Sequence, residues 1–212
     1  MADAGTLGWW GVPLAILGGA IRVGTPLLWV SLGETVTEKA GRINLGLEGT
    51  LLMGAMSAYA VSLNTSDPWL AVLVAALVGM VMGVLHGALC SLPRVNDTAM
   101  GIALMLAGSG LAFWLGKPLI QPSAPGLPAI ALGGWSDQAA VKASLAINPL
   151  FAIGLVLAFA THWALGRTRF GLRLRVVGDS ENAARAFGLS PTAYRIAATA
   201  FGGACAGVGG AS

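Results

Sequence analysis

The chain has 212 residues, of which 56% are hydrophobic and 10% charged, and its mean hydropathy is +0.76. Soluble domains carry about a quarter charged residues, so this composition excludes an ordinary soluble fold and predicts an integral membrane protein. Membrane topology accounts for the net charge of +3, which therefore does not indicate nucleic-acid binding. Cys90 and Cys205 lie in apolar runs, which favours packing over a disulfide or a metal site, and no motif indicates a cofactor.

Six apolar segments can be placed along the chain, and the last is shorter than the roughly 20 residues that a span needs. Because lipid offers the backbone no hydrogen bonds, continuous apolar segments of this length favour helices over barrel strands. We therefore expect an all-α, polytopic membrane protein that forms a single domain over residues 1–212 and is a piece of a longer protein. The segments are 12–33, 43–62, 69–92, 98–116, 145–165 and 196–212.

The polar segment 166–195 carries six of the twelve Lys and Arg residues. Basic loops between spans are held on the cytoplasmic side, so we place this segment inside, together with loops 34–42 and 93–97. This orientation puts nine of the twelve basic residues in the cytoplasm and leaves the loop 117–144, with Lys117 and Lys142, outside. Arg22 is a charge inside the first segment, which favours an interfacial helix before it.

Three glycines recur at every fourth position in the third apolar segment: Gly79, Gly83 and Gly87. This spacing puts them on one helix face, where a second helix can approach closely. We interpret them as a packing surface, and a functional hinge is the alternative.

Charges and glycines crowd the membrane boundary between residues 34 and 49. Asn44 and Glu48 share a face if this segment is helical. A carboxylate within an apolar span needs a partner or a cavity, and transporters use broken helices of this kind as substrate sites or gates. The alternative is that Glu48 pairs with Arg42 or Lys39 near the interface.

A short helix is predicted in the second half of the segment 166–195. Asp179 or Ser180 can cap its start, with Glu181 in its first turn. Gly188 ends it. The helix has little apolar bulk, so we interpret it as a docking surface for a soluble protein; a helix that anchors to lipid headgroups is the alternative.

Two catalytic hypotheses fail on their context. An intramembrane serine protease needs a histidine beside Ser109, and the candidates are His86 and His162 in other spans. The predicted topology puts Ser109 in the outer half of its span and His162 near the inner end of another, and the two histidines are more often packing or interfacial residues than ligands. The glycines of 207–212 have neither a preceding strand nor a Walker lysine, so they do not predict a phosphate site. We therefore expect no enzyme activity and no ATPase in this chain.

Two motifs together resemble one known family. Residues 38–54 (EKAGRINLGLEGTLLMG) resemble the signature segment of permease subunits of bacterial ABC importers for nucleosides and simple sugars. Residues 168–188 (TRFGLRLRVVGDSENAARAFG) resemble the cytoplasmic coupling segment of the same family, which belongs to the group of the ribose and branched-chain amino acid permeases. The resemblance runs from about Arg22 to the last residue. Such permeases are longer and have several more spans, which also predicts a truncated chain.

The resemblance implies which residues serve transport. It implies a discontinuous second span that lines the translocation path, and a segment 179–188 that docks in a cleft of the ATP-binding subunit. The implied path residues are Asn44, Gly46, Glu48, Gly49 and, more loosely, Asn96. The implied coupling residues are Arg173, Arg175, Gly178, Asp179, Glu181, Ala184, Arg185 and Gly188.

We therefore predict a permease subunit in the bacterial inner membrane that imports a nucleoside-like or sugar-like solute. The implied partners are an ABC ATP-binding subunit, a second permease subunit of the same or a related kind, an extracytoplasmic solute-binding protein and membrane lipid. The apolar run 100–106 departs from nucleoside permeases, which carry further polar residues there. The rivals are the serine protease and a stand-alone secondary transporter or channel, for which only Glu48 is a plausible intramembrane carboxylate.

Overall fold

The computed structural model describes residues 11–119, 123–131 and 145–212. Most of these residues are helical, so the predicted all-α class is confirmed; one antiparallel pair of two-residue strands is the exception within the described ranges. Lys142 and parts of the predicted loop 117–144 lie outside the described residues. The helices are α1 (Gly11–Lys39), α2 (Leu47–Thr65), α3 (Pro68–Leu89), α4 (Asp97–Gly116), α5 (Pro149–Arg167), α6 (Arg169–Asp179), α7 (Glu181–Ala186) and α8 (Pro191–Gly210), and the strands are β1 (Ile130–Ala131) and β2 (Ala146–Ile147).

Short polar side chains determine where six of these helices begin. Each cap accepts a hydrogen bond from a backbone N–H of the first turn, which would otherwise have no partner. Proline follows three of the caps, at the first helical position, where its missing N–H is not needed. The caps are Asp67, Asn96, Asn148, Thr168, Ser180 and Ser190.

Helix α8 lies at the centre of the bundle, where it packs against α1, α2 and α3. Most of its residues from Ala198 to Gly209 are small and buried. Four other helices are long and apolar enough to cross a membrane, namely Ile16–Lys39, Pro68–Leu89, Asp97–Leu119 and Pro149–Arg167. The predicted number of six spans is therefore not confirmed. Helices α2 and α8 fall short of this criterion because residues that pack against protein need not be strongly hydrophobic.

The glycines of α3 form the surface on which α8 packs. A Cβ atom on Gly87 would lie 3.0 Å from the Cα of Ile196, and one on Gly83 or Gly79 would overlap the backbone of α8. The contact is reciprocal, since a Cβ on Gly203 would come within 2.9 Å of Gly83. The packing interpretation of these glycines is confirmed: the two backbones lie in direct contact.

Helix α1 differs from the prediction at both of its ends. It continues to Lys39, so most of the predicted loop 34–42 is helical. It also continues without a break past Arg22, where an interfacial segment was expected. Arg22 lies 17 residues before Lys39, about 25 Å along a helix axis. That distance is close to the thickness of the hydrocarbon core, so Arg22 can reach the opposite boundary from a continuous span.

The loops predicted to share one side of the membrane do lie together at one end of the bundle. Arg42 pairs with Asp97 at 2.6 Å, and the guanidinium of Arg195 donates to the carbonyl oxygen of Ala40 at 3.3 Å. At the opposite end, the hydroxyl of Ser62 donates to the carbonyl oxygen of Pro125 at 2.6 Å. This grouping is confirmed, while the cytoplasmic location of the basic end stays a prediction of the charge pattern.

The contact between α3 and α8 makes a testable prediction about stability. We expect Gly83→Ala to lower the free energy of unfolding by about 1–3 kcal/mol, because the new methyl group overlaps the backbone of α8. Unfolding of the purified protein in a denaturing detergent measures this change.

Gly110→Ala is the matched control, since a Cβ on Gly110 meets nothing within 4 Å. This variant should be unchanged or more stable by up to about 1 kcal/mol, the difference in helix propensity. Equal losses in the two variants would contradict the role of the α3–α8 contact.

Candidate functional site

In the turn between α1 and α2, side-chain oxygens accept hydrogen bonds from backbone N–H groups that have no helical partner. Glu34 of α1 accepts a hydrogen bond from the backbone N–H of Asn44 at 2.9 Å through Oε1. The Asn44 side chain, which is buried, accepts from the N–H of Gly46 at 2.9 Å. Two backbone donors are thereby satisfied without a helix, and α2 begins only at Leu47. The sequence prediction of a break at this point is correct, although Glu34 was not expected to form it.

A second carboxylate, that of Asp97, links the same turn to α4 by an ion pair. Arg42 forms an ion pair with Asp97 at 2.6 Å, and its side chain is only 12% exposed. The other terminal nitrogen lies 3.5 Å from the hydroxyl of Ser91. The expectation that Glu48 pairs with Arg42 or Lys39 is wrong, because Asp97 occupies Arg42. Within the described ranges Glu48 forms no ion pair and is exposed.

The five predicted path residues do not converge on one cavity. Asn44 precedes the helix, so it shares no helical face with Glu48. A Cβ on Gly49 would lie 2.6 Å from the carbonyl oxygen of Met105, which shows that this side of α2 packs tightly on α4. Gly46 abuts the same helix, since a Cβ there would lie 3.1 Å from the carbonyl oxygen of Gly101.

The fifth of these residues, Asn96, is the cap of α4. Its side chain accepts a hydrogen bond from the N–H of Ala99 at 3.1 Å. Asn96 therefore has a structural role in this chain, because it caps the first turn of α4.

A different face of α2 is open. Glu48, Leu52, Met56 and Tyr59 follow one another at intervals of three or four residues and share this face. Leu52, Met56 and Tyr59 line a 410 Å³ cavity between α2 and α4, and Tyr59 also lines a 310 Å³ cavity at the far end. Sequence reasoning missed Tyr59, although an aromatic residue with a polar tip inside an apolar span is a recognisable signal.

The predicted coupling segment contains two helices instead of one. Ser180 caps α7, as expected, and Gly188 ends it with a φ of 72° in the left-handed region that favours glycine. Helix α7 spans six residues and is therefore shorter than predicted. Arg173 and Arg175 lie on α6, which was not predicted, although the spacing of its buried Leu174 and Val177 is that of a helix face.

Among the predicted coupling residues, large polar side chains face solvent, whereas two small residues are packing residues. The side chains of Arg173, Asp179 and Arg185 are exposed. Ala184 is fully buried in this chain. A Cβ on Gly178 would lie 3.2 Å from the nitrogen of Gly41, so Gly178 lets α6 cross closely over the turn that follows α1.

Glu181 and Arg195 connect the coupling segment to the centre of the bundle. The carboxylate of Glu181 accepts hydrogen bonds from Arg185 at 2.7 Å and from Arg195 at 2.9 Å, and these hydrogen bonds lower its pKa. Arg195, on α8, also donates to the carbonyl oxygen of Ala40. One guanidinium therefore joins α7, α8 and the turn after α1, a role that the sequence analysis did not assign to it.

The residues of the protease hypothesis are not arranged for catalysis. His86 is 1% exposed and contacts the Sγ of Cys90, which lies 3.6 Å from its Nε2. In the part of the chain that the structure describes, Ser109 has no hydrogen bond to a histidine. The same residues contain no group of three or more His, Cys, Asp or Glu side chains that could hold a metal ion.

Comparisons with known proteins agree on one family. The profile of the family described as the permease component of branched-chain amino acid transport systems matches residues 16–212. A nucleoside ABC transporter permease protein of Lactococcus lactis is 31% identical over 88% of the chain and 63% of its own length. A putative glucose ABC transporter permease protein of Haloferax volcanii is 30% identical over 92% of the chain and 61% of its own length.

A third relative is more distant. A guanosine ABC transporter permease protein of Bacillus subtilis is 27% identical over 87% of the chain and 62% of its own length. The chain thus spans less than two thirds of the length of these curated relatives. No solved structure matches it.

The turn between α1 and α2 makes a prediction about Glu34. We expect Glu34→Leu to lower the free energy of unfolding by about 1–3 kcal/mol, because it leaves the buried N–H of Asn44 without an acceptor. Glu34→Gln retains an oxygen for that N–H and should cost less than about 1 kcal/mol. Detergent unfolding of the two variants measures the difference, and equal losses would show that the acceptor is not what holds the turn.

Proposed function

We propose that this chain is the membrane-spanning subunit of an ATP-driven importer, because it belongs to the family of permease components of branched-chain amino acid transport systems. The observation that carries the proposal is the family match over residues 16–212. Proteins similar to this chain are ABC transporter permease proteins in Lactococcus lactis and Bacillus subtilis. Members of such systems hydrolyse ATP in a separate subunit, so no ATPase is assigned to this chain.

The docking element for that subunit is the exposed surface of α6 and α7. Phe187, directly after α7, is 76% exposed, and Arg173 on α6 and Arg185 on α7 are exposed as well. A large exposed aromatic side chain flanked by arginines is typical of the centre of a protein–protein interface. Force applied to α7 passes through Glu181 and Arg195 to the turn after α1, and this connection supports the coupling role.

The translocation path is assigned to the open face of α2. Glu48 lies at the basic end of this face and Tyr59 lies near the other end, beside the two cavities. The tyrosine ring offers an apolar face on which a nucleobase or a sugar ring can stack, and a hydroxyl that can form a hydrogen bond. We favour a nucleoside or a sugar as the solute, since both occur among the named relatives.

The remaining partners follow from the transport cycle. An extracytoplasmic binding protein delivers the solute, and a second permease subunit completes the path. The protein is placed in the bacterial inner membrane, with its basic end in the cytoplasm as the distribution of arginines indicates.

The transport proposal predicts ATP-dependent uptake. The full-length protein, reconstituted with the second permease subunit, the ATP-binding subunit and the binding protein of its importer, should accumulate a labelled nucleoside or sugar in proteoliposomes only when ATP is present. Tyr59→Ala should lower this uptake about two- to tenfold, because stacking on an aromatic ring contributes about 0.5–1.5 kcal/mol. Tyr59→Phe keeps the ring and is the matched control.

Uptake that continues without ATP and collapses with an uncoupler would reject the importer and favour a secondary transporter. Equal uptake by the alanine and phenylalanine variants, with ATP dependence retained, would reject only the path assignment.

The docking proposal makes a separate prediction. Phe187→Ser should reduce co-purification of the ATP-binding subunit about tenfold or more, because the loss of a central aromatic side chain is costly at an interface. Leu92→Ser is the control, since Leu92 is 54% exposed at the same end of the bundle but lies outside α6 and α7. If both variants retain the ATP-binding subunit equally, α7 is not the docking element.

A further inference from the structure

A groove with a charged end and an apolar floor lies between α1 and α5 at the basic end of the bundle. It has a volume of 330 Å³. The two helices run in the same direction here. The indole nitrogen of Trp29 donates to the carbonyl oxygen of Leu150 at 3.0 Å, and the groove residues follow both of these positions along the chain, on α1 from Leu32 and on α5 from Ala158. The residues around the groove are Leu32, Thr35, Lys39, Ala158, Thr161, His162, Leu165, Gly166 and Arg175.

The two cationic residues of the groove, Lys39 and Arg175, form its charged end. Lys39 is the last residue of α1, and Arg175 reaches over from α6 to donate to the carbonyl oxygen of Leu165 at 3.0 Å. Neither cation takes part in the ion pairs of the described residues. The nearest acidic residues in sequence, Glu38 and Asp179, do not line the groove. The charged end of the groove therefore carries two positive charges with no neutralising carboxylate.

Away from its charged end, the groove is apolar and continues toward the membrane core. Leu32 of α1 and Ala158 of α5 form its walls. Leu155, which is 46% exposed, extends the same face of α5 by one turn in the direction of the membrane centre. Trp163, which is 64% exposed, lies next to the charged end, the position that tryptophan favours at a membrane interface.

We infer that this groove binds one anionic phospholipid, with its headgroup phosphate between Lys39 and Arg175 and an acyl chain along Leu32 and Ala158. Basic pockets between membrane helices on the cytoplasmic side favour anionic headgroups. A soluble phosphate is a poorer match, because it gains nothing from the apolar floor that leads into the membrane. His162 can donate an additional hydrogen bond to the phosphate from the wall of the groove. The inference does not depend on the proposed transport function.

Binding of fluorescent phosphatidylglycerol to the full-length protein in phosphatidylcholine nanodiscs tests this site. The double variant Lys39→Gln, Arg175→Gln should bind it about tenfold more weakly, because each cation near a membrane surface contributes to the attraction. The double variant Arg173→Gln, Arg185→Gln loses the same charge elsewhere at this end of the bundle and should bind it like the wild type.

Ala158→Trp fills the apolar floor without changing the charge, and it should also weaken binding about tenfold. This variant keeps the test decisive if the first one folds poorly, as judged by its unfolding in phosphatidylcholine alone. Equal affinity in all variants would overturn the site, because binding would then reflect the general charge of the surface. Competition by millimolar inorganic phosphate as effective as that by phosphatidylglycerol would overturn the assignment to a lipid.

Discussion

The contact between α3 and α8 is the constraint on which the rest of the structure depends. Lipid supplies no hydrophobic force that drives helices together, so close packing must hold them. Glycines on both helices bring the two backbones into contact, and most of α8 is enclosed as a result. Helices α1 and α2 then pack on the other sides of α8. Substitution of these glycines by larger residues would separate the helices that position every other element.

The turn between α1 and α2 is the junction at which the remaining elements meet. Glu34 holds it from α1, and the ion pair between Arg42 and Asp97 holds it from α4. Arg195 of α8 donates hydrogen bonds to the carbonyl oxygen of Ala40 in this turn and to the carboxylate of Glu181 in α7. These contacts are hydrogen bonds and ion pairs, which are directional. Because they do not slide as an apolar contact can, a displacement of α7 is passed on to the turn. This arrangement supports the coupling role that we propose for the segment 166–195.

The structure changes which residues are candidates for contact with the solute. The Asn44 side chain is hydrogen-bonded within the turn and Gly49 packs on α4, whereas Glu48 and Tyr59 lie on the open face of α2. The same distinction divides the coupling segment, where Ala184 is buried and Phe187 is exposed. Resemblance to a family identifies candidate segments. Within a segment, however, one helix turn contains both buried and exposed positions, and the distinction between them requires the packing partners.

The amino-acid sequence by itself determined the membrane class, the helical architecture, the grouping of the basic loops and the glycine packing surface. These properties depend on local hydropathy, charge and spacing, which can be read along a single chain. Only the tertiary structure decided that Arg42 pairs with Asp97, that Arg195 joins three elements and that α8 is enclosed. Arg42 and Asp97 lie 55 residues apart, and Arg195 and Ala40 lie 155 residues apart, and no local pattern specifies which distant residues will meet.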